Sequence, residues 1–240
     1  MKKITFVLTT CLCMGLFACD TLYQLANTAG ASLEPSTLDM IQGLKEALGK
    51  GTEFAVNTLS AENGYFNDPL VRIPFPQEAE FAAKALRDIG LGSLVDEFEK
   101  LLNRGAEEGA KMALPIFTSA IKEMTINDAK NILLGGERAA TDYFEQKTRA
   151  HLYQAFAPHI QNSLDRVNAT KLWQDITTRY NAIPFTRQKI ETDLVKYATE
   201  KALDGLFIKV AEEEKKIRED PLARSSELLR KVFGYADSQK

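Results

Sequence analysis

From Leu94 to Met124, apolar and small residues return at three- and four-residue steps: Phe98, Leu101, Leu102, Gly105, Ala106, Gly109, Ala113, Phe117, Ile121 and Met124. That period is one face of a long helix. The middle of the stripe is small, with Gly105, Gly109 and Ala113 four apart. Such a stripe lets a second helix approach closely. Each interior glycine lowers helix propensity by about 1 kcal/mol against alanine, so a packing gain must offset it. Pro115 predicts a kink or a division into two helices.

Upstream, Leu38, Ile41, Leu44, Leu48, Phe54, Ala55 and Leu59 form the apolar face of another helix. It starts at Ser36 or Thr37, where Ser36 and Asp39 fit a capping box, and runs to about Ala61. Asn63-Gly64 ends it. The next segment, YFNDPLVRIPFP over 65–76, holds three prolines and cannot be a regular helix. Residues before proline avoid the helical region, so Leu70 to Phe75 is expected to be extended, and its apolar side chains predict that it is packed. Gln77 to Ile89 reads as a second helix, closed by Gly90.

Beyond the central stripe, Thr125 and Asp128 start a capped short helix through Leu134, broken at Gly135-Gly136. Glu137 to about Val167 is a second long helical run with Ala140, Tyr143, Phe144, Leu152, Phe156, Ile160 and Leu164 inward, interrupted at Pro158. A shorter helix from Thr170 to Asn181 carries Trp173, and Pro184 marks a loop. Thr192 to Glu219 is the last long helix, with Leu194, Tyr197, Ala198, Leu203, Leu206, Phe207 and Val210 inward. Asp220-Pro221 is expected to cap a terminal helix, docked by Leu228, Leu229, Val232 and Phe233 and stopped by Gly234. No repeat, low-complexity tract or sustained alternating pattern is present. The expected fold is all-α: a multi-helix, bundle-like single domain over 36–240 with one short extended Pro-rich segment at 65–76.

The first residues carry an address. Lys2 and Lys3 form a basic start, and Ile4 to Phe17 form an apolar run too short for a membrane span. The run ends in Leu16-Phe17-Ala18-Cys19, which resembles a bacterial lipobox. The resemblance implies removal of residues 1–18, a diacylglycerol thioether on Cys19 and an acyl chain such as palmitate on its new amine. An ordinary signal peptide with a cysteine at its cleavage site is the alternative. Several acyl chains anchor a protein firmly where one is marginal. Asp20 resembles the sorting signal for inner-membrane retention, so the inner membrane is favoured over the outer. Residues 19–35 read as a tether.

Cleavage also removes Cys11 and Cys13. With Cys19 acylated, the domain keeps no thiol for a disulfide or a cysteine metal site. Loss of Lys2 and Lys3 leaves 28 basic against 33 acidic residues, a balance unsuited to nucleic acid. Hydrophobic residues make up 45% of 240, enough for a core that needs no metal to fold.

Candidate chemistry is sparse. Ser119 and Lys122 match S-x-x-K, but no S-D-N or K-T-G follows. Gly43 to Gly51 misses a phosphate loop by one residue and lacks the magnesium-binding hydroxyl. His151 and His159, the two histidines, have no metal-ligand spacing around them. No metal and no cofactor is expected. What remains are polar residues inside apolar helical text: Asn103, Glu107, Asp128, Asp142, Asp204 and Arg218. They could share a ligand-binding or acid-base pocket, or serve as caps and interhelical pairs. Glu212 to Lys216 reads as a solvated face.

Several stretches together resemble one bacterial family. They are GLKEAL (43–48), NGYF (63–66), VRIPFP (71–76), NRGAE (103–107), AI-x-x-MT-x-x-DA (120–129), AATDYF (139–144), ALDGLF (202–207) and EE-x-x-IR-x-DP (213–221). The family is domain of unknown function 4197. The resemblance implies an exported, all-helical and often lipid-anchored protein, and carries no catalytic residue over. Gly105 departs from it, since alanine is the more usual residue there. The combined expectation is a membrane-anchored, periplasm-facing lipoprotein that binds an envelope protein or an apolar ligand without catalysis. An envelope hydrolase using carboxylates such as Glu107 and a carrier of an apolar ligand or lipid are the alternatives.

Overall fold

A computed structural model describes residues 34–88, 90, 92–166, 168–171, 173, 174, 178 and 193–239. The expected signal peptide, Cys19, Asp20 and most of the expected tether lie outside the described residues, as do most of the helix expected at 170–181 and the loop expected at Pro184. Residues 37–240 form one compact unit, and residues 1–36 fall outside it. Among the described residues there are eight α-helices and no strand.

The first helix, α1 (Thr37–Ser60), buries Leu44, Ala47, Leu48, Ala55, Val56 and Leu59. Two side chains expected inward are not: Leu38 is 61% and Phe54 53% exposed. They fall off the face that α1 turns to its neighbours, and Lys216 Nζ sits 5.2 Å over the Phe54 ring instead. Buried Thr52 is satisfied by donating to the Leu48 carbonyl at 2.7 Å. Asn63 turns the chain with φ of 62°, a left-handed conformation that asparagine tolerates.

Segment 65–76 turns through Val71, with the Val71 and Arg72 amides donating to the Asp68 carbonyl. Only 72–76 runs extended, so the extended run begins two residues later than the expected Leu70; it joins no sheet. Val71, Ile73 and Phe75 are buried while Leu70 is exposed. Prolines cannot complete a backbone ladder, so side chains do that work. Asn103 accepts from the Ile73 amide and donates to the Ile73 carbonyl, both at 2.8 Å. Glu99 accepts from the Phe75 amide at 3.3 Å. The fully buried Tyr65 hydroxyl donates to the Ala202 carbonyl at 2.9 Å. A 3-10 turn (Gln77–Ala79) leads into α2 (Glu80–Asp88).

The central stripe divides into α3 (Gly92–Ala110) and α4 (Ala113–Glu123). The break falls at Lys111 and Met112 because the Pro115 ring excludes the carbonyl four residues earlier. Pro115 itself sits in the first turn of α4, where its missing amide costs nothing. The short helix α5 (Ile126–Leu133) has the expected capping box, with Thr125 accepting from the Asp128 amide and Asp128 accepting from that of Thr125.

The next helix, α6 (Ala139–Asp165), runs unbroken through Pro158, contrary to the interruption expected there. Pro158 and Gln154 are both exposed, so water can satisfy the carbonyl that Pro158 leaves unbonded. The opposite side is clamped by α3. A Cβ added at Gly105 would lie 2.9 Å from the Ile160 Cα, and one at Gly109 would lie 2.9 Å from the Phe156 ring. Farther along, α7 (Leu194–Glu219) is capped by Asp193 and packs against both α6 and α1.

At the C-terminal end the expected cap is displaced. Asp220 accepts from Leu222 and closes a 3-10 turn (Pro221–Ala223), while Ser226 caps α8 (Glu227–Ser238). Gly234 does not stop that helix. It lies exposed within it, with open space around its Cα, so no close contact or turn forces an end. Buried Leu229, Val232 and Phe233 dock α8 on α1.

Gly109→Leu is expected to destabilise the domain by about 1–3 kcal/mol or more through overpacking. Gly49 lies inside α1 with nothing within 4 Å of an added Cβ. Gly49→Ala should therefore stabilise it by up to about 1 kcal/mol. Urea denaturation of both variants checks the pair, and equal shifts would contradict the close α3–α6 contact.

Candidate functional site

The six polar residues picked out in the sequence lie on four helices, and among the described residues no hydrogen bond or ion pair joins one of them to another. Asn103 on α3 is fully buried and holds the 65–76 segment; it also donates to the Glu99 carbonyl at 2.7 Å. One turn on, Glu107 is 2% exposed and accepts from Arg104 at 2.9 Å. Asp142 is exposed and pairs with Arg138 at 3.5 Å. Asp204 is exposed and pairs with Arg149, which also holds Glu145 and Glu200. Asp128 is the α5 cap.

Arg218 belongs to a buried knot that includes a residue the sequence reading missed. Glu214, assigned to a solvated face with Glu212–Lys216, is 7% exposed. Its carboxylate accepts from the Ala140 and Thr141 amides at 2.9 and 2.8 Å and from the Thr141 hydroxyl at 2.7 Å. Arg218 Nη2 donates to Glu214 at 2.8 Å and to the Ile132 carbonyl at 2.7 Å, and Nη1 reaches the Leu133 carbonyl at 3.2 Å. One i,i+4 pair on α7 thus closes the C-terminal end of α5 with a cation and the N-terminal end of α6 with a carboxylate. Both charges complement the helix dipoles, and orphan groups on both helix ends find partners. The sequence signal was available: Glu214 stands one helical turn before Arg218 and three residues before the buried Ile217.

An open concavity lies elsewhere. A groove of about 600 Å³ lies between α4, the start of α5 and α6. Pro115, Ser119 and Glu123 line one wall at four-residue steps; Tyr143, Lys147 and His151 line the other with the same step. One face of each helix is therefore presented along its length. Ser119 donates to Glu123 at 2.8 Å. Thr125 holds the Asp128 carboxyl below its usual range, first through its hydroxyl and then through its amide, with the Lys147 charge adding to the effect. Burial, then the Asp128 and Glu123 charges, push the Tyr143 hydroxyl up, so it stays a protonated donor. Lys147 Nζ lies 5.8 Å over the Tyr143 ring.

Among the described residues no group of three or more His, Cys, Asp or Glu side chains is placed to hold a metal ion, and no helix is long and apolar enough to cross a membrane. The family model described as "Protein of unknown function (DUF4197)" matches residues 34–234. The chain belongs to that family. No curated protein and no solved structure matches it.

Glu214→Ala should leave Arg218 buried without its counter-charge and two helix-end amides without an acceptor. Losing one partner of a buried pair costs about 3–5 kcal/mol, and chemical denaturation should register a loss of that order. A loss below about 1 kcal/mol would contradict the knot's role in joining α5 to α6.

Proposed function

We propose that this member of the family is a lipid-anchored, periplasm-facing binding protein of the bacterial envelope, with its binding site in the groove between α4 and α6. The observation that carries the binding reading is where the polar groups go. Asn103 holds the 65–76 segment, Asp204 pairs with Arg149 between α7 and α6, Arg218 ties α7 to the end of α5, and Glu107 pairs with Arg104 within α3. The groove, by contrast, offers Tyr143, Lys147 and His151 to solvent. A hydrolase working through paired carboxylates needs them around one reacting bond, and the buried Glu107 faces Arg104 instead. A carrier of an acyl chain needs a large apolar cavity. The void between Leu48, Phe144, Val210 and Phe233, which Thr52, Glu214 and Arg218 also line, measures about 20 Å³, room for one water.

The anchor rests on Lys2, Lys3, the apolar run from Ile4 to Phe17 and the Leu16–Cys19 lipobox. Asp20 supports the inner membrane as the address. Cys19→Ala should move the protein from the membrane fraction to the soluble periplasm. A variant still bound to membranes would contradict the assignment. Native mass spectrometry of the detergent-extracted protein, with cross-linking in intact cells, tests the binding reading. A bound small molecule or a specific envelope partner is expected. A bare mass with no cross-linked partner overturns it.

A further inference from the structure

The two walls of the α4–α6 groove differ in charge. On α6, Lys147 Nζ and the His151 ring have no hydrogen-bond or ion-pair partner among the described residues, and both line the groove. Facing them, Ser119 engages Oε1 of Glu123, and Thr125 engages Oδ2 of Asp128. Each carboxylate keeps its second oxygen clear of those bonds. Apolar surface in the groove comes from Pro115, Ile116 and Ala120, and the buried Thr148, whose hydroxyl donates to the Phe144 carbonyl, also lines it. A simple anion would meet the two carboxylates, and a simple cation would meet Lys147. An apolar ligand would strip water from all four polar groups without replacing it. A ligand carrying both charges at opposite ends meets neither objection.

We propose that this groove binds a short peptide with free termini, its carboxylate against Lys147 and His151, its ammonium against Glu123 and Asp128, and its side chains over Pro115 and Ile116. This rests on the binding reading above and names the ligand class. The size agrees. Tyr143 to His151 spans about 12 Å of helix at about 1.5 Å per residue. Extended peptide covers about 3.3–3.6 Å per residue, so two to four residues fit. The 600 Å³ volume lies within the range of about 300–1,000 Å³ usual for small-molecule sites.

The test is calorimetry of the full-length protein in detergent micelles with trialanine as probe. Trialanine should bind, and trialanine acetylated at one end and amidated at the other should not. Lys147→Gln and Glu123→Gln should each weaken binding about tenfold, the loss expected for one charge-assisted hydrogen bond. Lys215→Gln, on the exposed side of α7, should leave it unchanged. Equal binding of the blocked peptide, an equal effect of Lys215→Gln, or no binding of trialanine overturns the proposal. If trialanine fails while native mass spectrometry of the same preparation reveals another bound molecule, the peptide assignment falls and the binding reading stands.

Discussion

The approach of α3 to α6 over Gly105 and Gly109 governs the rest of the domain. With an added Cβ at either position already inside 3.0 Å of α6, no larger residue could hold the two helices at this distance. The glycines weaken α3 as an isolated helix by about 1 kcal/mol each. What they gain is direct packing against Phe156, Ile160 and Ser163. That contact flanks Pro158, through which α6 runs as one helix, and it fixes which face of α6 remains for α4. The groove residues Tyr143, Lys147 and His151 lie on that remaining face.

Charged and amide side chains inside the bundle act as connectors between elements that cannot bond to each other through backbone. Asn103 supplies a donor and an acceptor to Ile73 in a segment whose prolines rule out a ladder. Glu214 and Arg218 do the same for two helix ends on either side of Gly135-Gly136. A buried pair is a poor source of net stability when replaced by well-packed apolar residues. Here its work is positional, since each partner also satisfies backbone groups that would otherwise be buried without a bond. Lys209, holding Asp68 at 2.6 Å and Glu212 at 2.7 Å, ties the start of the same segment to α7.

Because the interior polar groups are engaged in this way, the open polar side chains are those of the α4–α6 groove. The break at Lys111–Met112 sets α4 off from α3 and leaves its Pro115–Glu123 row facing α6. The Thr125 cap then places Asp128 at the groove's end. A break in a helix and a capping box, ordinary devices of folding, thus shape a groove whose walls carry opposite charges.

Most of the fold was legible in the sequence because helical periodicity, caps and breakers are local. The stripe from Phe98 to Met124, the Thr125 capping box, the Asn63-Gly64 turn and the extended run before Phe75 all follow from neighbours within a few residues. The errors have a common cause. Pro158 does not break its helix, Gly234 does not end one, Phe54 lies outside the core and Glu214 inside it, against what local pattern predicts. In each case the outcome depends on what lies on the other side of the helix: water beside Gln154, open space around Gly234, the amides of α6 over Glu214. Short motifs carry the family resemblance, but the six polar residues cannot be sorted by sequence into site and scaffold, because that requires knowing which helices meet. Local chemistry determined the elements and their ends. Only the tertiary structure decided which faces are shared, since burial belongs to pairs of elements rather than to either one.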